Sequence, residues 1–307
     1  MTRLDEYSMG NHAIHQSVGT DSKGESMHDI ECMQFLQWAL PQLRMRWQGF
    51  RKVRNQVCKR IARRISELGL PDLQAYRQQL HDNRQEWRML DGLCRVTVSR
   101  FYRDKRVFGM LETAYLPTLA RQILEQGGSS LRIWSAGCAS GEEPYTLSLL
   151  WALALNARFP DLSLTILATD ADPRLLARAN VACYSYGSIK NLPETWRDHA
   201  FAHSDDRYCL YPQFARPVEF RLQDVRNSMP EGPFHLVLCR NLDFPYFDNA
   251  LQLGFLDRLE REMQPAGILL LGVHESLPES GHGFTDSAAR WGFYTLQMSQ
   301  EPMTAKR

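Results

Sequence analysis

Two glutamates follow a glycine-rich turn in the stretch 134–150, which reads WSAGCASGEEPYTLSLL. The apolar run before the turn predicts a strand, and Glu142 and Glu143 fall where the spacing predicts that a helix begins. Glycine turns at helix starts usually bind phosphate, but two carboxylates would repel it. The GxxxxGK[ST] and GxGxxG patterns are both missing, because Gly137 and Gly141 have three residues between them and no lysine follows. The turn therefore favours a ligand with a cationic end and no phosphate.

A further carboxylate ends the second predicted strand, in the stretch ILATDAD, where Asp170 is followed two residues later by Asp172. S-adenosylmethionine fits such a pair of sites, because it carries an α-ammonium group, a sulfonium and a ribose diol that a carboxylate can accept. In the alternative interpretation the glutamates are first-turn charges stabilised by the helix dipole, and Asp170 is an N-cap. For Glu142 taken alone, both interpretations stay open.

Short apolar runs alternate with helical patterns through the second part of the chain. Strands are predicted at 131–137, 162–170, 235–241, 267–273 and 291–298, and helices at 142–157, 172–182 and 249–263. Strands that alternate with helical crossovers form a mainly parallel sheet that is covered on both faces. The sequence therefore predicts an α/β fold with a doubly wound, Rossmann-like sheet. Ligands of such sheets bind beyond the carboxyl ends of the strands, where the glycine turn and Asp170 lie.

The chain before this sheet is predicted to be helical. Residues 1–27 are polar without periodicity and predict a flexible tail, 28–112 form an all-helical domain, and 113–307 form the cofactor-binding domain. The stretch 44–64 holds nine basic residues and no acidic one. On a helix Lys52, Lys59 and Arg63 share one face. Such a run is commonly a solvated surface, and it can also dock an acidic partner.

Composition narrows the class of protein. Lys and Arg outnumber Asp and Glu by only 36 to 35 in 307 residues, which argues against a nucleic-acid-binding protein. The apolar runs are too short to insert into a membrane. The seven cysteines form no CxxC pair, so we expect reduced thiols in a cytoplasmic protein, with no disulfide framework and no metal site.

Several segments together resemble the chemotaxis-receptor methyltransferase family, often called CheR-type. They are RIWSAGCASGEEPYTLSLL, ILATDADPRLLARA, VLCRN, YFD and LLLGVHESL. The resemblance runs from about residue 30 to the C-terminus. It implies the fold of class I S-adenosylmethionine-dependent methyltransferases, with a helical domain in front and a small β subdomain, expected here at about 201–220.

The resemblance also implies the site residues. The family's T-x-F-F-R stretch reads SRFYR here, and Arg103 is expected near both the cofactor and the reacting centre. Asp224 and Val225 would flank the adenine, where the family usually has Asn-Leu. The implied cofactor-binding residues are Thr97, Ser99, Arg103, Ala136, Gly137, Glu143, Asp170, Asp224, Val225, Arg240 and Asn241.

The acceptor side departs from the family's pattern. Four residues separate Asn241 from Tyr246 where the family has three, so Tyr246 keeps its register with YFD but not with CRN. The resemblance implies catalytic roles for Arg103 and Tyr246, with S-adenosylhomocysteine as the product. The rebuilt loop leaves the acceptor open.

The implied activity is methyl esterification of glutamates on a chemoreceptor-like protein, whose acidic helical segment would bind Lys52, Lys59 and Arg63. One alternative is a methyltransferase that acts on another protein or on a small carboxylic acid. A second alternative is a regulatory module that binds the cofactor without turnover.

Overall fold

The computed structural model describes residues 22–51, 53–95, 99–241 and 247–297. Three residues expected at the docking face or in the site, Lys52, Thr97 and Tyr246, lie outside these ranges. The tail expected over 1–27 is described only from Ser22 onward, where the first helix begins.

Helices occupy the first third of the described chain and then alternate with strands. They are α1 (Ser22–Gln42), α2 (Trp47–Phe50), α3 (Arg54–Glu67), α4 (Leu73–Asp82), α5 (Arg84–Cys94), α6 (Lys105–Met110), α7 (Leu116–Glu125), α8 (Glu142–Leu150), α9 (Pro173–Val181), α10 (Tyr186–Ile189), α11 (Glu194–Ala200), α12 (Pro212–Ala215) and α13 (Asn249–Arg261). Turns of π-helix extend α6 at Leu111–Tyr115 and α8 at Trp151–Leu155. Among the helices described, none has the length and apolar character needed to cross a membrane.

The described strands form one large and one small sheet. They are β1 (Ser130–Ala136), β2 (Ser163–Asp170), β3 (Cys183–Ser185), β4 (Phe201–Ser204), β5 (Arg207–Leu210), β6 (Val218–Leu222), β7 (Phe234–Cys239), β8 (Met263–Leu271), β9 (Phe284–Ala288) and β10 (Phe293–Leu296). The large sheet has the order β6-β2-β1-β7-β8-β10-β9. Its strands are parallel from β6 to β8, and β10 is antiparallel to both neighbours. The predicted fold class is confirmed.

Alternating side chains of the central strands build a core on each face of the large sheet. Ile133 and Leu236 are fully or almost fully buried against α7 and α8. Trp134 and Val237 are fully buried on the opposite face against α13. Burial on both faces explains why these strands are continuous apolar runs in the sequence. Because β1, β2 and β7 are parallel, their carboxyl ends meet at one edge of the sheet.

The N-terminal helices have a core of their own, and a buried ion pair ties three of them together. Glu86 on α5 accepts hydrogen bonds from the Tyr76 hydroxyl on α4, at 2.9 Å, and from the Arg64 guanidinium on α3, at 2.9 and 2.7 Å. These bonds hold the pKa of Glu86 below its ordinary value, although burial acts in the opposite direction. Arg64, one of the nine basic residues, is therefore a structural residue of this domain.

Two pairs of cysteines are joined, which overturns the expectation of free thiols without disulfides. Cys32 on α1 is bonded to Cys58 on α3, and Cys183 on β3 is bonded to Cys209 on β5. Each pair is separated by 26 positions in the chain. The prediction was wrong because spacing along the chain does not show which helices pack or which strand residues face each other. The cysteine content therefore gives no support to a reducing compartment.

The small sheet is antiparallel and has the order β3-β5-β4. It begins earlier in the chain than the expected range 201–220, because β3 pairs with β5 in the register Cys183 to Cys209. The end of the expected range belongs elsewhere: β6 pairs in parallel with β2 at the edge of the large sheet.

Candidate active site

The glycine-rich turn between β1 and α8 has a tightly bonded backbone. Its first two amides, those of Gly137 and Cys138, donate to the carbonyl oxygen of Thr169 at 2.8 and 2.9 Å. Gly137 and Gly141 have φ values of +71° and +90°, which favour glycine. A Cβ added at Gly141 would lie 3.0 Å from Phe220 and 3.1 Å from Tyr145. The sequence of the turn is therefore set by the close packing of α8 against β2 and β6.

The two adjacent glutamates have different environments. Glu142 is buried at 4% exposure, accepts a hydrogen bond from the Ser188 hydroxyl at 3.2 Å and lies outside the cleft. Glu143 lies in the cleft wall, where the Ser135 hydroxyl donates to it at 2.9 Å. Consecutive residues on a helix point about 100° apart, so both could not face one ligand. The structure thus separates a buried residue, Glu142, from a candidate ligand-binding residue, Glu143.

Arg240 holds Glu143 in place. Its side chain is 1% exposed, and its Nη1 lies 3.1 Å from Oε2 of Glu143, while its Nη2 lies 2.6 Å from Oδ2 of Asp104. The guanidinium also lies over the Phe108 ring, 5.3 Å from its centroid. Burial raises the pKa of Glu143, although Arg240, Ser135 and Arg103 act in the opposite direction. Arg240 therefore orients the carboxylate that faces the cleft.

Asp170 ends β2 beside the glycine turn. Its Oδ2 accepts the N–H of Ala139 and its Oδ1 accepts the N–H of Asp172, both at 2.9 Å. Burial raises the pKa of Asp170 despite these two amide bonds. Each carboxylate oxygen keeps a second lone pair. Asp170 is thus a fixed pair of acceptors spaced for a diol.

Asp224 belongs to a network of four charged side chains that the sequence did not predict. Asp91 on α5 binds both terminal nitrogens of Arg226, each at 2.7 Å, and also binds Arg95 at 2.7 Å. Asp224 accepts from Arg226 at 2.6 Å and from Arg95 at 3.2 Å. The network joins the helical domain to the loop after β6. The pairs Asp91–Arg95 and Asp224–Arg226 are local, but no local pattern shows that they meet, because Asp91 and Arg226 are 135 residues apart in the chain.

The small sheet and α8 position the segment 99–103. Phe101 is fully buried and packs edge-on against Tyr184 and Phe201, with ring centroids 4.8 and 5.5 Å apart. The N–H of Tyr102 donates to the Thr146 hydroxyl at 3.1 Å. These contacts place the neighbouring residues of the segment at the cleft.

Most of the residues expected to bind the cofactor meet in this one cleft. The expected residues that line it are Ser99, Arg103, Gly137, Glu143, Asp170, Asp224, Val225, Arg240 and Asn241. Ala136 is fully buried where β1 enters the turn. Arg95, Arg100, Phe108, Arg226 and Phe247 also line the cleft and were not expected there.

The helical domain also contacts the cleft close to its acceptor side. Met45 forms a β-bridge with Phe247, and the N–H of Asp248 donates to the carbonyl of Arg44 at 3.0 Å. Arg46 donates to the Asn249 side chain at 3.2 Å. The turn after α1 thus fixes the chain immediately after residue 246.

The structure divides the nine basic residues of 44–64. Arg54 pairs with Asp29 at 2.6 Å, and Arg60 donates to the carbonyl of Leu93 at 3.2 Å. Lys59 and Arg63 are exposed on α3, and Arg63 lies 3.7 Å from Glu67. Lys59 and Arg63, the two expected docking residues that the structure describes, therefore face solvent.

Sequence comparison agrees with this geometry. A family model described as CheR methyltransferase, SAM binding domain matches residues 97–293. The chain belongs to the CheR methyltransferase family. The matched range holds every wall of the cleft except Arg95, from the segment 99–103 to Phe247.

Relatives extend the similarity beyond that range. The chain is 32% identical to a chemotaxis protein methyltransferase of Listeria monocytogenes over 61% of its own length and 68% of the relative's. It is 30% identical to chemotaxis protein methyltransferase 1 of Pseudomonas aeruginosa, over 72% and 81% of the two chains. It is 31% identical to the probable biofilm formation methyltransferase WspC of Pseudomonas aeruginosa, over 83% of its own length and 60% of the relative's.

The chain is therefore an S-adenosylmethionine-dependent methyltransferase. The cleft fits this cofactor chemically. Its acceptors, Glu143 and Asp170, suit an ammonium group and a diol. The expected enzyme class and cofactor are confirmed.

Proposed function

We propose that this CheR family member forms methyl esters on glutamate carboxylates of a chemoreceptor-like protein. The observation that carries the proposal is the placement of Arg103 in the same cleft as Glu143 and Asp170, so that an anionic acceptor can approach a cationic donor. Arg100, which is exposed at the same cleft, adds a second positive charge for an incoming carboxylate.

In this proposal the acidic residues hold the cofactor at its two ends. Glu143 binds the α-ammonium group, and Asp170 accepts hydrogen bonds from the ribose hydroxyls. Asp224 and Val225 flank the adenine, and Thr97, Ser99 and Gly137 complete the binding site. Bound S-adenosylmethionine supplies a methyl group that is already activated by the sulfonium, and S-adenosylhomocysteine is the product.

The chain's own residues then need only to orient the acceptor and exclude water. A glutamate is ionised at neutral pH, because its ordinary pKa is about 4.3, so no general base is required. Orientation can contribute roughly 7–11 kcal/mol toward the barrier. Arg103 and Tyr246 position the carboxylate. Arg103 must bind it loosely, because the oxygen loses its charge as the ester forms and tight binding would favour the ground state.

The decisive experiment uses a labelled methyl donor in an extract of the source cells. We expect label in protein that is released as methanol by mild base. Arg103→Ala should lower the yield about a hundredfold, while S-adenosylhomocysteine binding falls less than tenfold. Arg121→Ala, an exposed change on α7 outside the cleft, is the control. Cofactor binding without base-labile product would refute ester formation and favour a non-catalytic module. Label in a small carboxylic acid would show that the acceptor is that acid and not a protein.

The proposed partner is an acidic helical segment that binds the exposed face of α3, formed by Lys59 and Arg63. Reversing both charges to glutamate should raise KM for a receptor fragment about tenfold at low salt and much less at high salt, because exposed charges are screened. Reversing Arg121 and Lys190, which are exposed outside α3 and the cleft, to glutamate serves as the matched double reversal. Equal effects of the two changes would contradict docking at α3.

We also propose that the reaction takes place in the cytoplasm. The two disulfides make this chain an exception to the rule that cytoplasmic thiols stay reduced. Fractionation of the source cells tests the compartment: the methyl-transfer activity should be recovered with the cytoplasmic fraction, and its recovery outside the cell membrane would contradict the proposal.

A further inference from the structure

A carboxylate outside the expected site residues binds the backbone at the cleft edge. Glu275 follows β8, and its Oε2 accepts two hydrogen bonds, from the N–H of Gly272 at 2.6 Å and from the N–H of Asn241 at 3.0 Å. These two amides belong to chain segments that leave neighbouring strands, β8 and β7. One oxygen atom therefore ties the ends of both strands together.

The backbone around this oxygen is shaped to receive it. A Cβ added at Gly272 would lie 2.7 Å from Oε2 of Glu275 and 3.2 Å from the nitrogen of Asn241. Only glycine leaves that space open. Asn241 itself has a φ of +51°, a left-handed conformation that asparagine adopts more readily than most residues and that persists where its surroundings hold it. The bond from its N–H to Glu275 is such a restraint.

Asn241 lies in the chain between a residue of the cofactor site and the segment expected to face the methyl acceptor. Asn241 directly follows Arg240, which holds Glu143 on the cofactor side. It directly precedes 242–246, the loop expected to face the methyl acceptor. A change in the turn at Asn241 would therefore move the backbone next to Arg240 and with it the guanidinium beside Glu143.

Opposing influences act on the pKa of Glu275. Burial raises its pKa to about 7, against the effect of the two amide bonds and of the Arg240 charge, while the Glu143 charge raises it further. Arg240 on the segment after β7 and Glu143 on α8 are the charged groups that act on it. Near neutral pH the carboxylate thus gains and loses its proton, and the ionised form is the stronger acceptor for both amides.

We propose that Glu275 is a positioning residue that fixes the left-handed turn at Asn241 and thereby holds the Arg240 guanidinium beside Glu143. In its kinetic part this inference rests on the proposed methyl transfer, because a change in kcat can be measured only if an acceptor is methylated. The turn itself can be observed without any acceptor.

Three variants of the full chain test the proposal by kinetics. Glu275→Ala removes the acceptor oxygen and should lower kcat about a hundredfold, the size of effect expected for a misplacement of about 1 Å. It should also raise the dissociation constant of S-adenosylhomocysteine, because Asn241 and Arg240 line the cleft. Glu275→Gln keeps an oxygen for both amides and should retain kcat within about threefold, but lose the change of rate near pH 7. Glu260→Ala is the matched control, since Glu260 accepts the N–H of Gly283 at 2.6 Å outside the cleft.

Amide NMR provides a readout that needs no activity. In the wild-type protein the amide protons of Asn241 and Gly272 should titrate together near pH 7, and in Glu275→Gln they should not titrate. Independent titration of the two amides, or an unchanged kcat in Glu275→Ala, overturns the proposal. So does a Glu275→Gln variant as slow as Glu275→Ala. If no variant, including the wild type, methylates anything while both amides titrate together, the proposed function fails and the turn restraint stands.

Discussion

The network of Asp91, Arg95, Asp224 and Arg226 joins the helical domain to the wall of the cleft. Asp91 makes three hydrogen bonds of 2.7 Å to the two guanidinium groups. The four side chains are only 13–21% exposed. Replacing Asp91 with asparagine keeps its shape but removes its charge and one acceptor oxygen, so two nearby cations would share the single carboxylate of Asp224.

The expected cost follows from this geometry. Removing one partner of a buried ion pair typically destabilises a protein by 3–5 kcal/mol. Because some solvent reaches this network and asparagine keeps one acceptor, we expect Asp91→Asn to lose about 3 kcal/mol of unfolding free energy. Burial acts to raise the pKa of Asp91, but hydrogen bonds and charges from Arg226 and Arg95 hold it below its ordinary value. The loss of unfolding free energy in Asp91→Asn should therefore be complete at neutral pH. It should shrink only as the pH falls below about 3.9, the ordinary pKa of aspartate.

Urea unfolding at pH 7 measures this loss, and calorimetry with S-adenosylhomocysteine measures its functional consequence. We expect the affinity to fall about tenfold, or 1.4 kcal/mol, because the loop that carries Asp224 loses its anchor. The control is Asp257→Asn, which breaks an exposed pair with Arg261 whose side chains are 66% and 64% exposed and should cost less than about 1 kcal/mol. Equal losses in the two variants would refute the assignment of a structural role to the network.

Two further predictions concern single carboxylates. Asp170→Asn should weaken S-adenosylhomocysteine binding roughly 10- to 150-fold in calorimetry, because one charge-assisted hydrogen bond is worth about 1.5–3 kcal/mol, and an unchanged affinity would remove Asp170 from the ribose site. The folded-state pKa of Glu275, about 7 against an ordinary 4.5, means that the folded protein binds this proton more tightly than the unfolded chain. The free energy of unfolding of the wild type should therefore fall by up to about 3 kcal/mol as the pH rises from 4.5 to 7, and Glu275→Gln should not show this fall. Urea unfolding at pH 5 and pH 8 measures the difference. Parallel pH curves for the two proteins would contradict this assignment.

The central strands of the large sheet could be predicted because they are buried on both faces, which makes β1, β2, β7 and β8 continuous apolar runs. The edge strand β9, with the sequence FTDSA, exposes most of its side chains and gives no such signal. The same is true of β6, which was assigned to the small subdomain. Local sequence therefore identifies a strand when both of its faces are buried and its residues are apolar. Edge strands are partly exposed, so their sequences lack this pattern.

The candidate site shows the same division. Glu143 and Asp170 were found because each lies where a strand or turn meets the cleft, a position that the order of elements predicts. Arg95 and Arg226 were missed because the bonds that bring them together at the cleft, Arg95 to Asp224 and Arg226 to Asp91, join residues that are distant in the chain. The separate roles of Glu142 and Glu143 also required the structure, because neighbouring letters do not show which way each side chain points.

The packing of Phe101 between Tyr184 and Phe201 limits how this enzyme can be recombined with its relatives. The arginines at 100 and 103 take their positions from an insert that pairs β3, β5 and β4 and that supplies none of the cleft lining. A chimera that imports a foreign insert while keeping the native 99–103 segment would seat Phe101 on mismatched aromatic rings. Exchanging both pieces together preserves the fit, so the insert and the arginine-bearing segment form one structural unit.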